Sequence, residues 1–178
     1  MKSQNGFTLI EAIVATSLFA FVISSVIGVY IATTQLDRKA RSSRAVSQNA
    51  RFILEHLAKE IRNGMIYYPG YPGGIANTTL SLQNQANEVE YYYISGTNLI
   101  LEKNGATTNL NSAAVKVTKL NFLIAPAGNP YTTARTYNEQ PRVTIILELT
   151  SNYGSATTDV VKLNLQDTFT TRSYPSRQ

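Results

Sequence analysis

The longest apolar segment of the chain lies close to its N-terminus. From Ala12 to Ala32 there are 21 consecutive residues without a charge. At a rise of 1.5 Å per residue, a helix of this length measures about 31 Å, close to the ~30 Å hydrocarbon core of a bilayer. The pattern therefore predicts a transmembrane helix. Small and hydroxyl residues are the only interruptions of the apolar run, and such residues allow close approach between helices in membranes. They are Thr16, Ser17, Ser24, Ser25 and Gly28.

After this run the apolar positions form a stripe at spacings of three, four and seven, which is typical of an amphipathic helix. The stripe consists of Val46, Ala50, Ile53, Leu54, Leu57, Ala58 and Ile61. There is no Pro before Pro69, and Gly28 is the only Gly between Phe7 and Gly64. The pattern predicts one near-continuous helix over residues 7–63, about 85 Å long, in which Gly28 is the candidate point of flexibility. Asn63-Gly64 is the predicted stop signal.

The remainder of the chain has the pattern of short strands. A connector rich in Pro and Gly covers residues 67–74, and Glu88–Lys103 predicts a hairpin around Gly96, with Asn104-Gly105 as the next turn. An antiparallel meander covered on one face by Gln48–Asn63 gives an α+β fold. Alternating or β-branched runs predict six strands, at Thr78–Gln83, Val89–Ser95, Asn98–Lys103, Val115–Ala125, Arg142–Thr150 and Thr158–Thr170.

The composition argues against an enzyme. The 178 residues include no Cys and a single His, so thiolate nucleophiles and Cys-based zinc sites are excluded. No phosphate loop, dinucleotide fingerprint or nucleophile elbow occurs, and the carboxylates of the head are spread over separate elements. His56 is expected to be a solvated residue on the flank of the helix. We expect neither a cofactor nor a metal.

The net charge of +5 is concentrated in one region. Residues 33–64 hold seven basic and three acidic residues, a net charge of +4, whereas residues 65–178 hold eight and seven. A basic stretch beside a membrane span usually faces lipid headgroups or an acidic partner. The near-neutral head argues against nucleic acid as a partner, although charge totals do not exclude a local basic patch.

The start of the chain differs from an ordinary secretory signal. The apolar run is too long, and no small-residue cleavage site follows it. Glu11 stands at the start of the run, where burial of an ionised carboxylate costs about 2.5 kcal/mol or more. A plain signal anchor does not explain this carboxylate, so Glu11 is a candidate functional residue.

The segment Met1-Lys2-Ser3-Gln4-Asn5-Gly6-Phe7-Thr8-Leu9-Ile10-Glu11 resembles the prepilin signal of type IV pilins and pseudopilins. The resemblance implies that a prepilin peptidase cleaves between Gly6 and Phe7. It also implies N-methylation of the new Phe7 amine and a role for Glu11 in assembly. The domains are then a leader at 1–6, a transmembrane and filament-core helix at 7–34, an amphipathic stalk helix at 35–64 and a β-rich head at 65–178.

Glu11 has a physical role to play in such an assembly. Cleavage creates a positive amine on Phe7, four residues before Glu11, and the two are expected on one helix face. Pairing of this amine with a Glu in a poorly solvated filament core relieves the desolvation of both charges, and a mis-staggered subunit leaves one unpaired. The alternative is a Glu that only suits the positive end of the helix dipole.

The predicted orientation conflicts with the distribution of flanking charges. Lys2 and the initial amine lie before the span, whereas Arg38, Lys39, Arg41 and Arg44 follow it. The positive-inside rule alone would place the C-terminal part in the cytoplasm. The resemblance implies the reverse: a single pass through the inner (cytoplasmic) membrane with the head outside, and later extraction into a pilus or pseudopilus.

Residues 41–63 resemble the minor subunits called W-type minor pilins and the J-type minor pseudopilins of type II secretion. The head resembles theirs in a strand containing Val117, Leu120 and Phe122 and in a last strand that ends near Arg172. The resemblance implies a structural subunit that primes or caps a filament for adhesion, motility, secretion or DNA uptake. Its partners are other pilins or pseudopilins, the peptidase, the inner-membrane assembly platform and membrane lipid.

The alternative is a pilin whose head is a ligand- or DNA-binding module. Tyr91-Tyr92-Tyr93 is a candidate binding patch. Tyr is also an ordinary strand residue, because its apolar body packs and its polar tip reaches water, and this second interpretation is the favoured one.

Overall fold

A computed structural model describes residues 6–71, 77–131, 139–153 and 160–172. The first element is a single helix, α1, over Leu9–Asn63. It begins two residues later than predicted, because Thr8 has extended backbone angles (φ −80°, ψ 150°) and serves as the N-cap. The helix runs without a break through Gly28. The predicted end at Asn63 is confirmed.

Gly64 ends the helix through a close approach of backbones. Its N–H donates a hydrogen bond to Glu60 O at 2.8 Å, and its φ of −97° is open to any residue. A Cβ at this position would lie 2.9 Å from Glu60 O and 3.0 Å from Gln83 O. The stop signal therefore depends on space between the helix end and a strand of the head, and does not depend on a left-handed conformation.

The described residues of the head form eight strands. They are β1 Met65–Ile66, β2 Leu80–Gln83, β3 Val89–Ser95, β4 Asn98–Lys103, β5 Ala106–Asn109, β6 Val115–Ala125, β7 Arg142–Ser151 and β8 Lys162–Thr170. The predicted bounds of β3, β4 and β6 are confirmed. The expected start of β2 at Thr78 is wrong, because the strand begins at Leu80. The expected start of β8, Thr158, lies outside the described residues. Sequence patterns missed β1, which has two residues, and β5, in which every residue is exposed.

The strands form two antiparallel sheets, and the expected single meander is wrong. One sheet has the order β1-β2-β3-β4-β5 and the other β6-β7-β8. Backbone hydrogen bonds join them: Asn77 N donates to Phe122 O at 2.8 Å, Phe122 N to Asn77 O at 2.7 Å, and Val117 N to Thr97 O at 2.9 Å. The alternation of apolar residues fixes which face of a strand is buried, but it carries no information about which strand is the neighbour.

The predicted hairpin turns are confirmed. Ser95 pairs with Asn98, and Gly96 between them has φ 62°, which a two-residue hairpin turn with Gly at its first central position requires. Between β4 and β5 both turn residues have positive φ, 52° at Asn104 and 76° at Gly105. Asn followed by Gly is the sequence that this type I′ turn prefers.

The second half of α1 packs on the head along the predicted stripe. Ile53, Leu57 and Ile61 are fully buried, and β7 opposes them with every second residue inward. Those inward residues are Val143, Ile145, Leu147 and Leu149. Two hydrogen bonds tie helix and head outside this core: Ser112 N donates to Asn49 Oδ1 at 2.8 Å, and Arg172 N donates to Arg62 O at 3.1 Å. The α+β fold class is thus confirmed.

Candidate processing and assembly site

The first turn of α1 is closed by a reciprocal pair of side chains, Thr8 and Glu11. Glu11 Oε2 accepts hydrogen bonds from Thr8 N at 2.9 Å and from Thr8 Oγ1 at 2.8 Å. Glu11 N donates to Thr8 Oγ1 at 3.4 Å. This is a capping box, which satisfies backbone donors that the start of a helix otherwise leaves unpaired. The Glu11 carboxylate therefore has a partner within its own chain.

Gly6 and Phe7 lie just outside the helix, in extended chain. Phe7 precedes the N-cap and is 79% exposed. The expectation that Phe7 and Glu11 share a helix face is wrong in detail, since Phe7 is not helical. The two residues nevertheless line one surface hollow of 370 Å³, together with Ile10, Val14, Ala15 and Leu18. The structure thus brings the three sequence-predicted residues into one short segment.

Gly6 occupies open space. A Cβ added to it would have no heavy atom within 4 Å. A larger side chain at this position therefore disturbs no packing in the described structure. Any need for Gly here comes from a molecule that approaches the chain from outside.

Thr8 is the residue that sequence reasoning missed. The prepilin-like pattern contains Thr8 without giving it a role, yet Thr8 caps the helix and binds Glu11. The available signal was the spacing Thr-x-x-Glu before an apolar run, which is the sequence signature of a capping box.

The apolar half of α1 stands free of the head. The helix is long and apolar enough to cross a membrane. A stretch of 18 residues in it has a mean hydropathy of 2.3, and none of these residues is buried against the rest of the described structure. Its Ser and Thr hydroxyl groups are satisfied internally, because each donates to the carbonyl four residues earlier, as in Thr16 to Ala12 O at 2.7 Å and Ser24 to Ala20 O at 2.8 Å. Satisfied polar groups are what a lipid environment demands.

The Tyr91-Tyr92-Tyr93 segment lies in strand β3, as favoured from the sequence. Tyr92 is fully buried and donates a hydrogen bond from its hydroxyl to Glu90 Oε2 at 3.0 Å. Tyr91 faces the opposite side and is 37% exposed. Only part of the triplet is therefore open to a ligand.

His56 is not the solvated residue that the sequence predicted. Its ring lies 6.2 Å from that of Phe52 and 6.0 Å from that of Tyr92, between the helix and β3. Its Nε2 is buried without a hydrogen-bond partner. Among the described residues, no group of three or more His, Asp or Glu side chains is placed to hold a metal ion.

Three charged side chains link the start of β3 to the end of β4. Lys103 Nζ lies 2.8 Å from Glu88 Oε2 and 3.2 Å from Glu90 Oε1. Hydrogen bonds from Lys103, Asn84 and Asn104 lower the pKa of Glu88 to about 2. Burial alone would raise the pKa of Glu90, but hydrogen bonds from Asn84, Lys103 and Tyr92 leave it below its usual range. These ionised, mutually satisfied groups stabilise a strand pair and are poorly suited to proton transfer.

The fold and the N-terminal segment define an α+β protein with a long helix whose first half is apolar and unpacked. Residues 1–27 match the family model described as the prokaryotic N-terminal methylation motif. The match supports a type IV pilin-like prepilin, a class of protein processed by prepilin peptidase and assembled with other pilins, and the apolar helix is consistent with a membrane anchor. Comparisons with curated proteins and with solved structures give no match.

Proposed function

We propose that this chain is a minor pilin or pseudopilin, a structural subunit that primes or caps a type IV pilus-like filament. The observation that carries the proposal is the split of α1 into two halves with different surroundings. Residues 46–61 bury a stripe in the subunit's own head, whereas the large apolar residues of 9–31 pack on nothing else in the part of the chain that the structure describes. An apolar surface of this size needs a bilayer or neighbouring helices to cover it.

The capping box suits the same function. Thr8 and Glu11 both lie after the proposed cleavage site, so the cap survives removal of residues 1–6. Cleavage at the Gly6–Phe7 bond would place a new amine one residue before the N-cap, beside the hollow that Glu11 also lines. A carboxylate and an amine of neighbouring subunits can then pair at the start of a packed helix.

The minor role and the choice among filament systems rest on the resemblance of residues 41–63 to W-type minor pilins and J-type pseudopilins. The proposal includes a single-pass orientation with the head outside the cytoplasm, no enzymatic activity and no cofactor. Quantitative mass spectrometry of sheared filaments tests it. We expect this chain in far lower amount than the main subunit. Deletion of its gene should give fewer filaments, still built of the same main subunit. An amount equal to that of the main subunit would overturn the minor role.

The alternative, a head that binds DNA, receives little support from its charges. Lys103, Arg142 and Lys162 each lie within 4 Å of a carboxylate. Phosphate binding requires a concentrated basic face with free cations. A gel-shift experiment on residues 35–178 at low and moderate salt discriminates: steep loss of binding with salt would favour the DNA-binding head.

A further inference from the structure

A groove between α1 and the head lies just beyond the apolar half of the helix. Its volume is 560 Å³. From the helix it is lined by Arg38, Arg41, Ser42, Arg44 and Gln48, and from the head by Tyr153, which follows β7. Neither the capping box nor the packed stripe accounts for this set of side chains.

Ser42 at this groove differs from the other Ser and Thr residues of α1 in its burial. It is fully buried, and its Oγ has no hydrogen-bond partner. Six other hydroxyl side chains of the helix each donate to the carbonyl oxygen four residues earlier: Thr16, Ser17, Ser24, Ser25, Thr33 and Thr34. A buried hydroxyl without a partner costs free energy, and a bound acceptor would remove that cost.

The other polar groups of the groove are mainly donors. Arg38, Arg41 and Arg44 contribute three guanidinium groups, of which Arg41 also pairs with Asp37 at 3.0 Å. Guanidinium groups bind phosphate oxygens in a planar, two-pronged geometry. A groove with three such groups and an unpaired hydroxyl is complementary to an oxyanion.

The position of the groove along the helix indicates the source of that anion. The uncharged run continues from Ala12 through Leu36, and Arg38 follows it by two residues. At 1.5 Å per residue, the Cα atoms of Arg38 and Arg41 lie about 9 and 13.5 Å beyond Ala32, where a helix that starts at Ala12 has crossed the ~30 Å core, and their long side chains reach back toward the headgroup layer, which is about 5–8 Å deep. Long side chains on a helix point toward its N-terminus, which here is toward the membrane.

We propose that this groove binds the phosphate of an anionic phospholipid headgroup, with Arg38 and Arg41 as its ion-pair partners and Ser42 Oγ as a donor. The proposal requires that α1 spans a membrane, but it does not depend on a role in a filament. A bound anionic headgroup would also give the basic residues after the span a partner. The positive-inside rule does not favour these residues on the outer side of the membrane, where the proposed orientation places them together with the head.

The test uses the full chain, without other pilins, in nanodiscs of phosphatidylcholine with or without phosphatidylglycerol. We expect phosphatidylglycerol to raise the Tm of the head by about 2–4 °C. Native mass spectrometry should find a retained phosphatidylglycerol on the protein released from the discs. Ser42→Ala should raise the Tm in pure phosphatidylcholine, because it removes an unpaired buried hydroxyl, and should lose most of the response to phosphatidylglycerol.

Matched charge variants complete the experiment. Arg38→Gln with Arg41→Gln removes two charges from the groove and should abolish the response. Lys39→Gln with Arg51→Gln removes two charges from helix positions that do not line it and should keep the response. An equal loss in both double variants would overturn the proposal, as would the absence of any shift in the unaltered chain. A full shift produced by inorganic phosphate in phosphatidylcholine discs would overturn the assignment to a lipid.

Discussion

Thr8 and Glu11 satisfy each other at the start of the only α-helix in the part of the chain that the structure describes, through hydrogen bonds of 2.8 and 2.9 Å to one carboxylate oxygen. The sequence offered two roles for Glu11, a charge partner in assembly and a charge that suits the helix dipole. The capping box adds a third, since Glu11 also completes the N-terminus of its own helix. These roles can be separated because Gln, like Glu, can close a capping box, whereas only Glu carries charge.

The first prediction separates charge from capping. Glu11→Gln should leave membrane insertion, processing and the cap intact, and should lower incorporation into filaments by more than tenfold. Loss of one member of a poorly solvated ion pair costs about 3–5 kcal/mol. Thr8→Ala is the complementary variant: it removes the cap at a cost of about 1 kcal/mol and keeps the charge, so most incorporation should remain.

The measurement compares processed protein in the membrane with protein in sheared filaments or a tip complex. Equal incorporation of Glu11→Gln and the unaltered chain would reduce Glu11 to a helix cap. Failure of processing in Glu11→Gln would show that the peptidase recognises this side chain, and the charge-pairing argument would then lose its support.

The second prediction concerns the cleavage site. Mass spectrometry of the mature protein should show a start at Phe7 with a methylated amine. Gly6→Val should block cleavage without a change in the stability of the head, because a Cβ at Gly6 meets no atom within 4 Å. A mature start at Met1, in a host with an active prepilin peptidase, would contradict the prediction.

The third prediction concerns the soluble half of the molecule. A fragment that starts near residue 35 should be a folded, soluble monomer, because residues 46–61 bury their stripe in the fragment's own head.

In this fragment Ile53→Ala should lower the free energy of unfolding by about 2–5 kcal/mol, since Ile53 is fully buried. Phe52→Ala, next to it but 53% exposed, should cost less than about 1 kcal/mol. Urea denaturation gives both values, and similar costs would mean that the stripe packs differently in solution.

The fourth prediction concerns the dependence of stability on pH. The pKa of Glu88 falls from 4.5 to about 2 on folding, and that of Glu90 is also lowered. A lowered pKa of a carboxyl contributes stability that is present above its unfolded value and is lost as pH falls through the folded value. The urea midpoint of the fragment should therefore decline between about pH 4.5 and pH 2. Glu88→Gln should flatten that decline, whereas Glu55→Gln, at an exposed helix position, should leave it unchanged.

The sequence alone determined the elements whose signals are local. Continuous apolarity predicted the first half of the helix, a stripe at helical spacing predicted the second, and Asn63-Gly64, Gly96 and Asn104-Gly105 marked the stop and the turns. The residues at 6, 7 and 11 were found in the same way, because the pattern that contains them is contiguous.

Tertiary structure decided what distant residues do to each other. The division of the described strands into two sheets depends on which strands pair, β1 to β5 in one sheet and β6 to β8 in the other, and periodicity does not encode this pairing. His56 appeared solvated from its helix position, but Tyr92 on β3 packs against its ring. Ser42 shows the same limit most clearly. On the helix it is one hydroxyl among many, and only the approach of the head buries it and shapes the groove with Tyr153, because burial depends on elements far apart in the chain.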